Sequence, residues 1–166
     1  MRELRQGYLA GLQRRNRKDT AGYIALAEAR SDWQQCPVGI TAAEKSSPPR
    51  TRVVEVAGKE PEVRVFVVHS DEREQYERSM RELSMQRARK DLEALRAQVD
   101  KGELKEPDKI GAAAATKLRC NHGHRYFGWE LRKGKFEFFE HPLNLPREKA
   151  LEGKYVIQTE ERSLSA

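Results

Sequence analysis

The sequence predicts a mixed α/β fold. Three observations carry that prediction. Residues 51–69 place apolar and polar side chains in the period-two pattern of strands. From Ser70 the pattern changes to a long run of good helix formers, Glu, Arg, Leu, Met, Gln and Ala, with no proline before Gly102. Beyond a shorter Ala-rich helical stretch, strand patterning returns as an aromatic hairpin over residues 125–141.

Taken in order, Arg2–Gln6 look like the end of a helix, and Gly7 leads into Tyr8-Leu9-Ala10-Gly11-Leu12, a short apolar run of buried-strand type. A basic cluster follows at Arg14, Arg15, Arg17 and Lys18. Residues 20–30 read as a weakly amphipathic helix carrying Tyr23, Ile24, Leu26 and Ala27. Residues 31–50 form an irregular connection marked by Pro37, Gly39, Ser46, Ser47, Pro48 and Pro49, with Trp33 as its anchor. Strands are expected at Val53–Val56 and Val63–His69, joined by Gly58-Lys59-Glu60-Pro61. The second is apolar on both faces around Phe66, which predicts a central strand.

The long helix is expected from Asp71 to Lys101, capped by Ser70 or Asp71, with Glu72 and Glu74 facing the positive end of its dipole. Eight acids balance eight bases along it. At 100° per residue, Tyr76, Met80 and Leu83 share one face, while Met85, Ala88, Leu92, Leu95 and Val99 share another, rotated by roughly a third of a turn. That split predicts either a kink near Ser84 or two halves leaning on different neighbours. A second helix is expected from Pro107 to Leu118, then a turn over Arg119–His124. Strands Arg125–Leu131 and Lys135–Phe139 form the hairpin, residues 142–149 a loop or short helix, and Lys154–Thr159 the last strand.

Composition bounds the function. With 37% apolar and 35% charged residues in 166, the core is small for one domain, so some surfaces expect a partner. The net charge of +6 is uneven: seven bases stand against three acids over residues 2–30, while residues 31–101 balance. Such an excess is compatible with nucleic acid without demanding it. Cys36 and Cys120 are too few for a disulfide framework, which favours a reducing, cytoplasmic setting. No segment has the length or apolarity of a membrane span or secretion signal.

Few residue groups point to chemistry. Arg14, Arg15, Arg17 and Lys18 read either as a phosphate-contacting strap or as a solvated loop. Cys120-x-His122-x-His124 has metal-ligand residue types, but a fourth ligand is missing and Gly123 argues for a turn, so no metal is expected there. Cys36 has no neighbouring His in sequence to activate it. The long helix's carboxylates have bases at helical spacing, as in Glu74–Arg78 and Glu77–Arg81, and read as a solvated face.

Several segments, in order, resemble the catalytic region of DDE transposases of bacterial insertion sequences, in the IS-four-like group whose RNase H-like fold is interrupted by a strand-rich insertion. They are Gln6–Leu12, resembling the strand after the second catalytic Asp; Val65-Phe66-Val67-Val68-His69-Ser70-Asp71-Glu72-Arg73 with its charged helix; Lys109-Ile110-Gly111; Arg125-Tyr126-Phe127; and Leu151-Glu152-Gly153-Lys154-Tyr155-Val156-Ile157-Gln158-Thr159. The resemblance implies that residues 1–30 and 151–166 continue the RNase H-like core, with 31–150 as the insertion. It places the first two catalytic Asp residues before the Gly7–Leu12 strand and the Glu after Thr159, in a Tyr-x-x-Arg-x-x-x-Glu setting. Neither an Asp-Arg-Gly triplet nor that Glu motif occurs here. The expectation is therefore a transposase fragment from a truncated or frameshifted gene, with Met1 an internal methionine. It would hold no catalytic residue and no cofactor of its own, Mg²⁺ serving the intact family. It would bind DNA weakly and without sequence preference. The alternative is a small basic module that docks a protein or nucleic acid.

Overall fold

The computed structural model describes residues 9–12, 18–37 and 50–160. Among these the fold is mixed α/β, as the patterning predicts, with antiparallel sheets throughout. In chain order the elements are β1 (Leu9–Gly11), α1 (Lys18–Glu28), β2 (Gln34–Gln35), β3 (Thr51–Val56), β4 (Arg64–Ser70), α2 (Asp71–Asp100), α3 (Pro107–Cys120), a 3-10 turn (Gly123–Arg125), β5 (Phe127–Arg132), β6 (Lys135–Glu140), α4 (Asn144–Ala150) and β7 (Lys154–Thr159). The chain forms two compact units, one of residues 1–76 with 151–166 and one of residues 77–150.

The first unit is a five-stranded antiparallel sheet in the order β1-β7-β4-β3-β2. β4 lies between β3 and β7, which explains why its Phe66, Val67 and Val68 are all buried. Register stacks side chains in rows across β3, β4 and β7: Val54, Val67 and Val156 in one, Arg52, His69 and Lys154 in the next. α1 covers this face with Tyr23, Ile24 and Ala27 against Val54, Val65, Val67 and Val156. Burying such side chains stabilises by about 1.5–3 kcal/mol each for the larger aliphatics.

Three expectations need correction here. Of the run expected as a buried strand, Tyr8 lies outside the described residues, and Leu9–Gly11 form β1, an edge strand that among the described residues pairs with β7 alone, with Ala10 half-buried and Gly11 exposed. Gln34–Gln35, read as connection, adds an edge strand to β3; two exposed glutamines give no apolar alternation to detect it by. The β3–β4 connection extends through Val63, whose N–H bonds the Glu60 carbonyl at 3.1 Å.

The second unit packs the C-terminal half of α2 against α3 and the β5–β6 hairpin. Ala88, Leu92 and Leu95 meet Ile110, Ala114, Phe127 and Phe136 in its core. Trp129 stacks on Phe136 at 5.7 Å, and Arg96 caps Phe138 at 5.4 Å. α2 runs as one uninterrupted helix with Ser70 at its N-cap, the Arg73 N–H reaching Ser70 Oγ at 3.4 Å. It closes at Gly102, where Glu103 N–H bonds Gln98 O and Gly102 N–H bonds Val99 O, both at 2.9 Å. Its second apolar stripe is core. Its first stays open, with Tyr76 65%, Met80 46% and Leu83 38% exposed. The split pattern thus marks one buried and one uncovered stripe on a continuous helix.

Candidate functional site

The basic strap gives no geometry: Arg14, Arg15 and Arg17 lie outside the described residues, and Lys18 is the first residue of α1. Cys120 ends α3 and is exposed. His122 turns left-handed at φ 53°, and Gly123 opens the 3-10 turn. A Cβ on Gly123 would come within 2.8 Å of Ala88 Cβ, so glycine there serves the packing of this turn on α2. The Cys120–His124 segment is a turn rather than an extended run that would place its three donors on one side. Burial pushes the Cys36 thiol up, which disfavours the thiolate a nucleophile needs.

What the fold does assemble lies at the edge of the α1-covered face of the sheet. The row Arg52–His69–Lys154 ends there, beside the C-terminus of α1 and the first turn of α2. His69 is buried, its side chain 8% exposed. Arg52 Nη2 lies 2.8 Å from its Nδ1, and Glu74 Oε2 lies 2.9 Å from its Nε2. A guanidinium only donates, so Nδ1 is the acceptor and Nε2 carries the proton toward Glu74; the partners assign this tautomer. Asp71 Oδ1 lies 3.8 Å from Nδ1. Trp33 meets the His69 ring edge-on at 6.4 Å, and the Arg52 guanidinium sits 5.6 Å from the Trp33 ring centre. Trp33 is fixed in turn by donating Nε1–H to the Ala27 carbonyl at 3.2 Å.

Trp33, Arg52, His69 and Glu74 line a polar cleft of about 680 Å³ with Glu28, Arg30, Ser31 and Lys154. Its cations face acids. Lys154 Nζ lies 3.1 Å from Glu28 Oε1. Arg30 Nε donates to Asp32 at 2.7 Å, and that bond holds the Asp32 carboxyl below the ordinary carboxylate range. The cleft is therefore balanced rather than strongly basic. His69, Asp71 and Glu74 are the group among the described residues that could hold a metal ion, with one donor atom from each lying within 4.8 Å of the others.

The sequence reading missed this cluster. It took Asp71 as a candidate helix cap and Glu74 as an acid on the helix dipole, whereas Glu74 reaches back to His69. The available signal was a histidine ending a strand, two and five residues before acids in a capped first turn. Arg52 had no signal at all, since register alone brings it to His69 from 17 residues away.

None of the helices among the described residues is long and apolar enough to cross a membrane. Comparison of the chain with protein-family models, with curated proteins and with solved structures finds no match.

Proposed function

We propose that this chain is the insertion region of a DDE-type DNA transposase of the IS-four-like group, a part that takes no catalytic step itself. One observation carries the reading beyond sequence resemblance. Two segments that the resemblance assigns to the host core, one before and one after the insertion, are antiparallel neighbours: Leu9 pairs with Thr159, Ala10 with Gln158 and Gly11 with Ile157. An insertion leaves and rejoins its host fold at adjacent points, and paired incoming and outgoing strands supply that arrangement. Gly153, within the resembling Leu151–Thr159 segment, packs so closely on α2 that a Cβ would meet Glu74 Cβ at 2.7 Å. The motif thus coincides with a tight structural join.

On this reading the reacting phosphate is handled elsewhere. Strand transfer by two clamped metal ions requires carboxylates on separate elements. The resemblance assigns none of them to residues 1–166. The contribution left to this chain is electrostatic, a non-specific hold on DNA through Arg14, Arg15, Arg17 and Lys18. DNA-binding and nicking assays on the purified chain test this. Weak, salt-sensitive binding without Mg²⁺- or Mn²⁺-dependent cleavage is expected. Nicking abolished by changing a carboxylate within residues 1–166 would overturn it.

The open Tyr76–Met80–Leu83 stripe favours a second reading, a small module that docks a partner protein through α2. Loss of partner capture on Met80→Glu, with DNA binding absent, would select that reading over the first.

A further inference from the structure

We propose that His69, Asp71 and Glu74 form a binding site for a divalent transition-metal ion, and that Arg52 is the built-in cation competing for it. One imidazole and two carboxylates suit zinc, cobalt or manganese. His69 is the one buried histidine among the described residues, held on a paired strand. Both acids follow at once on the capped first turn of α2. His69 Nε2 and Glu74 Oε2 are 2.9 Å apart, close to the roughly 3 Å separating adjacent ligands on an ion with bonds of about 2.1 Å. The cleft beside them has room for water to fill the remaining positions.

Arg52 makes the site conditional. If the ion takes Nδ1, it needs the place of the guanidinium now 2.8 Å away. If it takes Nε2, the ring proton moves to Nδ1, and two donors then face each other. In either case Arg52 must leave His69, and the chain toggles between an arginine-held and a metal-held state. Arg52 is exposed and already lies over Trp33, so its departure changes the environment of that indole. The inference does not depend on the transposase reading, which assigns no carboxylate of residues 1–166 to catalysis.

The test uses the full chain with Trp129→Phe, so that Trp33 is the remaining tryptophan, titrated with Co²⁺ and followed by calorimetry, visible absorption and fluorescence. One equivalent should bind, with a change in Trp33 emission. His69→Gln should weaken binding by about tenfold or more. Arg52→Met should tighten it by about ten- to a hundredfold, the effect of removing one exposed charge some 5 Å from a divalent ion at a near-aqueous effective dielectric constant of about 50–80. It should also abolish the fluorescence response. The proposal is overturned by no binding at millimolar Co²⁺, or by unchanged affinity in Arg52→Met. Binding that survives His69→Gln in a protein still folded by circular dichroism, or that is lost on Cys120→Ala instead, also overturns it.

Discussion

Gly153→Ala should destabilise the first unit by about 2–5 kcal/mol. Gly153 sits at φ 72°, where an L-residue pays about 1–2 kcal/mol for its Cβ. The new methyl would also lie 2.7 Å from Glu74 Cβ, 2.8 Å from the Ser70 carbonyl oxygen and 3.1 Å from Glu74 Cα. Two of those three atoms are backbone, so no flexible side-chain tip can give way. Overpacking of this kind costs about 1–3 kcal/mol. The Gly153 carbonyl also accepts from Ser70 N–H at 2.9 Å, so a shift of this turn strains the start of α2. Gly134→Ala is the control: φ is 78° there, but nothing lies within 4 Å of the added Cβ, leaving only the left-handed cost. Urea unfolding of both variants with circular dichroism detection measures the difference. For a unit of under a hundred residues, about 2 kcal/mol corresponds to roughly 8–16 °C in Tm. If Gly153→Ala loses no more stability than Gly134→Ala, the close approach of the turn to Glu74 is refuted.

Leu92→Ala, at a position 0% exposed, should cost about 2–5 kcal/mol in urea unfolding, while Leu83→Ala on the open stripe of the same helix should cost less than about 1 kcal/mol; similar costs would refute the two-stripe assignment. Arg64 bonds Glu55 through two nitrogens, and that hydrogen bonding, aided by Coulomb attraction and opposed by burial, holds the Glu55 carboxyl below its ordinary range. A lowered folded-state pKa stabilises above the unfolded carboxylate value and ceases to as pH falls through the folded one. Wild type should therefore exceed Glu55→Gln in stability at pH 7, by under about 1 kcal/mol with Glu55 40% exposed, and the gap should close below roughly pH 4; a gap that widens in acid refutes the pairing. DNA binding should fall with salt at a log–log slope of roughly −3, from three or four phosphate contacts, and be lost on changing Arg14, Arg15, Arg17 and Lys18 together to Ala. Binding indifferent to that change removes the strap.

The fold was legible where patterning is local. The alternation of Val54 and Val56, the two-faced apolarity around Phe66 and the sudden helix-former composition at Ser70 each mark an element that forms. Capping chemistry placed both ends of α2, at Ser70 and Gly102. What stayed hidden depends on pairing between distant segments. Exposed Gln34 and Gln35 have no apolar signature, so their bridge to β3 could not be read. The open stripe of α2 looked like core because Tyr76, Met80 and Leu83 repeat at core spacing; periodicity tells which residues share a face, not what covers it. The His69 cluster follows the same logic. Its acids were visible as helix-start residues, but the β3–β4 register that delivers Arg52 to Nδ1 has no local cause.

The DNA flanking the coding segment tests the proposed function most directly. Sequencing outward from the codons for residues 1 and 166 should find, in some frame, an Asp-bearing strand upstream and a Tyr-x-x-Arg-x-x-x-Glu helix downstream. Flanks that encode neither in any frame would contradict the transposase reading and leave the docking module as the account of this chain.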